Sequence, residues 1–102
     1  MSTHIYLVVR TDLSKEQQLV QACHAILKAG LAFNSNPQSS LVVLGVENKT
    51  RLYEVSSQLE DNNIKFEKFY ESWANIGHTA LATEPINKQV GNIFSNLELL
   101  KY

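Results

Sequence analysis

The sequence predicts an α/β domain of three layers, in which a four-stranded mixed β-sheet is flanked by helices in the order β-α-β-α-β-β-α. Two apolar runs rich in β-branched residues, at positions 5–9 and 41–46, are typical of strands buried on both faces. A segment with helical periodicity separates them, which is the pattern of parallel strands joined by a crossover. The chain has 102 residues, 44% hydrophobic and 19% charged, so we expect one globular domain over residues 1–102.

The first predicted helix follows a polar turn at residues 11–14. Ser14 and Gln17 have the spacing of a capping box, so the helix should start at about Lys15. One face collects residues that we expect to pack on the sheet: Leu19, Cys23, Ile26, Leu27 and Gly30. A second face, at spacings of four, three and four residues, carries Gln17, Gln21, His24 and Lys28. Residues 34–40, rich in Asn and Ser, predict the loop that follows.

The second half of the chain predicts a helix, two strands and a further helix. The first of these helices covers residues 50–60. Residues 64–71 alternate apolar and charged side chains, as a half-exposed strand does, and residues 79–83 form a fourth strand. A helix over residues 87–94 and an apolar tail at 97–102, packed back on the sheet, complete the domain. The inward residues of the two helices are expected to be Leu52, Val55 and Leu59, then Val90, Ile93 and Phe94.

The charge and cysteine content narrow the class of protein. The formal net charge is −1, whereas a dedicated nucleic-acid binder usually carries a basic excess, so any contact with RNA should be local and made by a few basic groups. The single cysteine allows no internal disulfide, which fits a reducing compartment. The N-terminal apolar run is too short for a signal peptide, and no run reaches the roughly 18 apolar residues of a membrane helix. We therefore expect a cytoplasmic protein.

Few residue patterns point to chemistry. No Gly-rich phosphate loop, cysteine pair or His-x-x-x-His spacing occurs, and we expect neither a metal nor a cofactor. Cys23 and His24 are adjacent, but neighbouring helical side chains point about 100° apart, so we expect Cys23 in the core instead of in a Cys–His pair. His24 lies on the polar helix face, where a histidine is either a surface residue or an acid–base group.

Two further positions have alternative interpretations. Thr79 opens a strand at an edge where α/β sheets often bind ligands, although threonine is also simply common in strands. Trp73, in the connection before that strand, is equally consistent with a lid on the core and with an anchor for a partner.

Read in order, several segments resemble the type-2 peptidyl-tRNA hydrolase family. Residues 7–13 read L-V-V-R-T-D-L, as that family's first strand does, and residues 21–25 match its helix motif Q-x-x-H-A. Residues 79–82 are similar to the start of its T-V-L-A-I-G-P strand, and residues 90–102 resemble its closing V-T-G-H-L-K-L-Y. The similarity spans the chain, and it implies a four-stranded mixed sheet with helices on both faces. A divergent, uncharacterised bacterial branch of the same superfamily fits residues 10–20 equally well.

The resemblance also implies a set of site residues. It carries over His24, Gln21 and Thr79 directly, and Glu71 takes the place of the family's aspartate after the third strand. The family's functional lysine, four residues before the glutamine, is replaced here by Gln17. We therefore expect the catalytic residues to be His24, Glu71 and Thr79, and the residues that bind substrate to be Gln21, Asp12, Lys15 and Gln17.

Three functions follow as hypotheses. The first is hydrolysis of the ester between a peptide and a transfer RNA, with peptidyl-tRNA as a transient partner; Glu71 or His24 would assist the water, and Thr79 and Gln21 would donate hydrogen bonds to the ester. The second is a binding module without turnover, which holds a nucleotide, a peptide or a protein partner. In this case a homodimer could form through an exposed strand or an apolar helix face. The third is a different small-molecule enzyme on the same scaffold.

Overall fold

A mixed β-sheet lies at the centre of the protein, in a computed structural model that describes residues 3–87, 91–94 and 97–99. Its strands are β1 (His4–Arg10), β2 (Ser40–Val46), β3 (Phe66–Glu71), β4 (Gly77–Thr83) and the two-residue β5 (Glu98–Leu99), in the spatial order β3-β4-β1-β2-β5. β1 and β2 are parallel, and the other pairs are antiparallel. The predicted four-stranded mixed sheet is therefore confirmed, with a short fifth strand added at its edge.

Helix α1 (Lys15–Phe33) covers one face of the sheet and begins where the capping box predicts. The Ser14 side chain accepts a hydrogen bond from the Gln17 backbone N–H. The buried side of α1 is made largely of alanines, whose small side chains allow a close approach to the sheet. The residues of this side are Gln18, Gln21, Ala22, Ala25 and Ala29.

The prediction of which apolar face of α1 packs on the sheet is wrong in part. Leu19, Leu27 and Cys23 are exposed, and Ile26 alone among the larger predicted residues packs partly against the core. Cys23 is therefore not a core residue. The alanine side packs because its small side chains let the helix lie close to the sheet. Gln18 and Gln21 on the same side find hydrogen-bond partners, which offsets the cost of removing two amides from water.

Helix α2 (Lys49–Asp61) and the short helix α3 (Gly91–Phe94) cover the opposite face and complete the three layers. The predicted apolar stripe of α2 is confirmed, because Leu52, Val55 and Leu59 are fully buried. Ile93 and Phe94 also face the core, as predicted. The rest of the predicted third helix, including Val90, and the end of the tail at 100–102 lie outside the described residues.

A β-bulge in β4 changes the direction of two side chains. Phe69 of β3 pairs with Ala80, and the next residue, Tyr70, pairs with His78, so Thr79 is the extra residue between them. Alternation along a regular strand would place Thr79 on the same face as Leu81, which contacts α2. The bulge instead turns Thr79 towards α1 and His78 towards α2.

Within the part of the chain that the structure describes, none of the helices is long and apolar enough to cross a bilayer.

Candidate active site

The polar face of α1 lies along β3, which is an edge strand of the sheet. Three pairs of side chains join the two elements, each pair further along both the helix and the strand than the one before. Gln21 donates to Glu71, the His24 ring stacks on Phe69, and the Lys28 Nζ atom lies 3.5 Å from the Glu67 carboxylate. The side chains of Glu67, Phe69 and Glu71 share this face of β3 because alternate residues of a strand point the same way.

Gln21 is the centre of a buried hydrogen-bond network. The Thr79 hydroxyl donates to Gln21 Oε1 over 2.7 Å, and both residues are closed to solvent, at 0% and 1% exposure. Gln21 Nε2 donates to Glu71 Oε2 at 3.2 Å and to Gln17 Oε1 at 3.3 Å. Both amide hydrogens and the amide oxygen are therefore engaged, and Gln21 acts as a fixed bridge between helix α1 and strands β3 and β4.

The Glu71 carboxylate is held by two donors. Gln21 reaches one oxygen, and the Trp73 backbone N–H reaches the other at 3.1 Å. These hydrogen bonds, the one from Gln21 first, lower the pKa of Glu71 below its ordinary value of 4.5; burial acts in the opposite direction, and the nearby charge of His24 lowers the pKa further. Glu71 is therefore ionised at neutral pH, a weaker proton acceptor than an ordinary glutamate.

His24 is exposed and held flat against Phe69. The two rings lie 4.5 Å apart with an angle of 4° between their planes. Stacking fixes the plane of the imidazole while leaving its edge open to solvent, beside the Glu71 carboxylate. An imidazole whose edge faces solvent can exchange a proton with water, which is the chemistry that a general base needs.

Gln17 lies one helical turn before Gln21, at the position where the resemblance implies a lysine. Its Oε1 accepts from Gln21 Nε2, which fixes the amide so that its own NH₂ group faces away from Gln21. The side chain is half-buried at the rim of the network. The position of the family's cation is therefore filled by an oriented neutral donor.

Arg10 and Asp12 form a clamp beside this network. The guanidinium makes a bidentate pair with Asp12, with both distances at 2.9 Å, and its third nitrogen donates to the Ile76 and His78 carbonyls at 2.8 and 3.0 Å. Arg10 is buried, so the clamp fixes the segment that leads into β4 and Thr79. Both carboxylate oxygens of Asp12 are thus occupied by Arg10.

The structure brings together five of the seven predicted site residues. Gln17, Gln21, Glu71 and Thr79 share one network and His24 lies beside it. Asp12 belongs to the Arg10 clamp instead. Lys15 is exposed at the first turn of α1, about 200° around the helix from Gln17 at 100° per residue, and among the described residues it makes no side-chain hydrogen bond or ion pair.

Three contributors to the site did not follow from the sequence pattern. Arg10 ends an apolar strand two residues before Asp12, and that spacing is the signal that could have identified the clamp. Phe69 precedes Glu71 by two residues and so shares its face. Trp73 contributes a backbone N–H, which no side-chain pattern indicates; its ring is 67% exposed, so it is not a lid on the core.

Within residues 3–87, 91–94 and 97–99, no group of three or more His, Cys, Asp or Glu side chains is arranged to hold a metal ion.

We compared the chain with models of protein families, with curated proteins and with solved structures. A family model described as peptidyl-tRNA hydrolase PTH2 matches residues 3–100. The solved structure of a protein of unknown function from Agrobacterium tumefaciens strain C58 superimposes with a TM-score of 0.76 at 13% sequence identity, covering 99% of each chain. At this identity the likeness shows the fold alone. No curated protein matches the sequence with significance.

Proposed function

Because the chain belongs to the peptidyl-tRNA hydrolase PTH2 family, we propose that it hydrolyses the ester that joins a peptide to the terminal ribose of a transfer RNA. The observation that carries this proposal is the network of Gln17, Gln21, Glu71 and Thr79 with the His24 imidazole beside it. These groups belong to three separate elements of the fold. An acyl-transfer site needs such a convergence: here the buried Gln21 and Thr79 support Gln17, Glu71 and His24, which reach the surface next to an edge strand.

His24 acts as the general base in this proposal. It takes a proton from a water molecule as the water oxygen attacks the ester carbonyl, and it returns the proton to the ribose oxygen as the ester bond breaks. Glu71 is less suited to this role, because its pKa is lowered and both of its oxygens already accept hydrogen bonds. Its part is to stabilise the imidazolium of His24 by its negative charge.

Gln17 is the donor for the developing oxyanion. Gln21 donates to the Gln17 amide oxygen, so the Gln17 NH₂ group stays available to donate to a substrate. A neutral donor stabilises an oxyanion less than a lysine does, so the reaction should be slower than with a cation at this position. Thr79 and Gln21 are positioning residues in this account: the hydroxyl of Thr79 fixes the amide of Gln21, and Gln21 then orients Gln17 and Glu71.

Two predicted substrate-binding residues, Lys15 and Asp12, lie outside the network and have other roles in the proposal. Lys15 is free to reach a phosphate of the bound transfer RNA from the first turn of α1. Asp12 affects binding through the Arg10 clamp, which holds the segment before β4. A transfer-RNA substrate would place the protein in the cytoplasm, which cell fractionation would test.

The test is hydrolysis of peptidyl-tRNA by the purified protein beside His24→Ala. His4→Ala is the matched control, because His4 is also exposed but lies at the start of β1, outside the site. We expect the His24 variant to lose activity by a factor of about 10² or more, and the His4 variant to retain it. Release at the background rate by both the unmodified protein and His24→Ala would overturn the proposal.

A second candidate function is binding without turnover. The observation that favours it is the neutral Gln17, since the family's cation is missing. In this case the protein would bind peptidyl-tRNA saturably while the ester stayed intact. Measuring binding and cleavage in the same sample separates the two functions, because steady cleavage excludes the second.

We also propose that two copies associate through the outer leucines of α1. Leu27 and Leu31 are 63% and 78% exposed, and Leu19 and Leu41 are also open to solvent. Leu27 and Leu31 are one helical turn apart, and exposed apolar side chains on one helix face mark interaction surfaces; a second copy supplies an equal apolar face. Sedimentation velocity should show a dimer that Leu27→Asp converts to monomer, while Gln58→Asp on α2 leaves it intact. A monomer at all concentrations for the unmodified protein would contradict this.

A further inference from the structure

A second group of side chains gathers on the other face of the β3–β4 pair, which the proposed reaction does not use. Tyr70 and His78 are cross-strand partners, with ring centroids 5.1 Å apart, and Tyr53 reaches His78 from α2 through a 2.8 Å hydrogen bond between its hydroxyl and Nδ1. Tyr70 is 58% exposed and Tyr53 is also open to solvent. These rings form a small aromatic surface facing solvent.

Two lysines border this surface. The Lys68 ammonium lies 5.4 Å from the centre of the Tyr53 ring, and the Lys49 side chain packs against Gly77, with Cδ and Nζ both 3.4 Å from the position a Cβ atom would take there. Among the described residues neither lysine forms an ion pair with a carboxylate. Lys49, Tyr53, Lys68, Tyr70 and His78 are together called the lysine–aromatic patch.

Positive charge dominates the surroundings of His78. Burial lowers the pKa of His78 below its ordinary value of 6.5, and the charges of Lys68, Lys28 and Lys49 lower it further. The concentration of cations is local, because the chain as a whole carries a formal net charge of −1. An anion bound here would relieve the repulsion between these groups.

We propose that the lysine–aromatic patch binds the single-stranded RNA next to the terminal ribose of the substrate, with phosphates on Lys49 and Lys68 and a base stacked on Tyr70. This inference rests on the proposed function and adds the surface that receives the RNA. Single-stranded nucleic acid is recognised by cations that follow the backbone and by exposed aromatic rings that accept the bases. An acidic peptide would use the lysines but would leave the rings without a role.

The position of the patch fits this assignment. His78 precedes Thr79, and the two side chains point to opposite faces of the same strand end. RNA on the patch therefore lies one residue along β4 from the Gln21 network. If the bound RNA passes around the edge of the sheet where β3 ends and β4 begins, its terminal ribose reaches the face on which His24 lies.

The test is the binding of a fluorescein-labelled single-stranded RNA hexamer, followed by anisotropy at several salt concentrations. The variants are Lys49→Gln/Lys68→Gln and Tyr70→Ala. The matched control is Lys65→Gln, which removes an exposed lysine just before the start of β3, away from the patch. Thermal unfolding verifies that each variant is folded. Peptidyl-tRNA hydrolysis is measured on the same preparations, so that binding and reaction are judged separately.

We expect saturable binding by the unmodified protein and by Lys65→Gln. The double lysine variant should lower the slope of log K against log salt by about 1.4, at about 0.7 for each phosphate that a lysine no longer neutralises, and Tyr70→Ala should weaken binding about fivefold to a hundredfold. In an NMR titration, bound RNA should raise the pKa of His78.

Equal affinity and equal slope in the double lysine variant would overturn the inference, and so would displacement of the RNA by polyglutamate at matched charge. If hydrolysis proceeds while these binding results fail, the patch assignment alone is wrong. If binding depends on the patch but no ester is cleaved, the proposed reaction alone is wrong.

Discussion

Replacing Thr79 with valine removes one hydroxyl from the interior and keeps the shape of the side chain. The hydroxyl is the donor to Gln21 Oε1 at 2.7 Å, and neither residue is open to water. The variant therefore leaves a buried amide oxygen without a partner, which costs about 1–3 kcal/mol of unfolding free energy. For a domain of this size each kcal/mol lowers Tm by about 4–8 °C.

The same substitution should also change the pKa of Glu71. Without the Thr79 anchor the Gln21 amide is no longer fixed with Nε2 towards the carboxylate, and the hydrogen bond that contributes most to the lowered pKa of Glu71 weakens. We expect that pKa to rise towards 4.5 and ester hydrolysis to slow.

Urea unfolding measures the first effect, and the ¹³C shift of the Glu71 carboxyl carbon against pH measures the second. Thr79→Ser is the control, because it loses a buried methyl group but keeps the donor; it should lose some stability while leaving the Glu71 titration unchanged. A Thr79→Val protein with the Glu71 titration of the unmodified protein and its full stability would refute the account of Gln21 as the bridge.

Three further predictions follow from the same contacts. Because the folded-state pKa of Glu71 is lowered, this residue contributes stability that is fully present above its unfolded pKa near 4.5 and is lost as pH falls through the folded pKa. Glu71→Gln should therefore remove this part of the acid dependence, as measured by urea unfolding between pH 7 and pH 3. If the two proteins show the same pH dependence, the hydrogen bonds to Glu71 do not stabilise the protein in solution. Arg10→Lys keeps a charge but cannot hold Asp12 and both carbonyls at once, so we expect a loss of roughly 2–4 kcal/mol in urea unfolding, and a loss below about 0.5 kcal/mol would show that the clamp is unimportant. Gln17→Lys should accelerate peptidyl-tRNA hydrolysis and Gln17→Ala should slow it by a factor on the order of 10², as removal of an oxyanion donor does; unchanged rates in both would exclude Gln17 from the reaction.

The sequence predicted the fold well because its signals are local. The apolar runs of β1 and β2, the Ser14 cap and the stripe of α2 each depend on residues within one element, and all are confirmed. The grouping of Gln17, Gln21, His24 and Lys28 on one helix face follows from helical geometry in the same way.

The orientation of side chains across elements was harder to predict. Leu19 and Leu27 look like packing residues by hydropathy, yet the sheet accepts the alanine side of α1, because the choice depends on the distance between the helix and the sheet. The turn of Thr79 towards Gln21 depends on a bulge, whose position is set by the pairing of β3 with β4. Strict alternation would have separated Thr79 from the site.

The backbone contribution of Trp73 lay beyond sequence patterns altogether. Its N–H reaches the Glu71 side chain because Ser72, between them, takes a helical conformation with φ −79° and ψ −18°. Most residue types adopt this conformation, so it gives no sequence signal. The side chain at position 73 therefore says nothing about the part that its backbone N–H plays in the site.

The most direct test of the proposed reaction is a double-mutant cycle on His24 and Glu71, with single-turnover cleavage of peptidyl-tRNA as the readout. If Glu71 acts by stabilising the imidazolium of His24, each single variant, His24→Ala and Glu71→Gln, slows cleavage, and the double variant is scarcely slower than His24→Ala. Effects that multiply in the double variant would show that the two residues act independently. Cleavage at the full rate in His24→Ala would contradict the proposed mechanism outright.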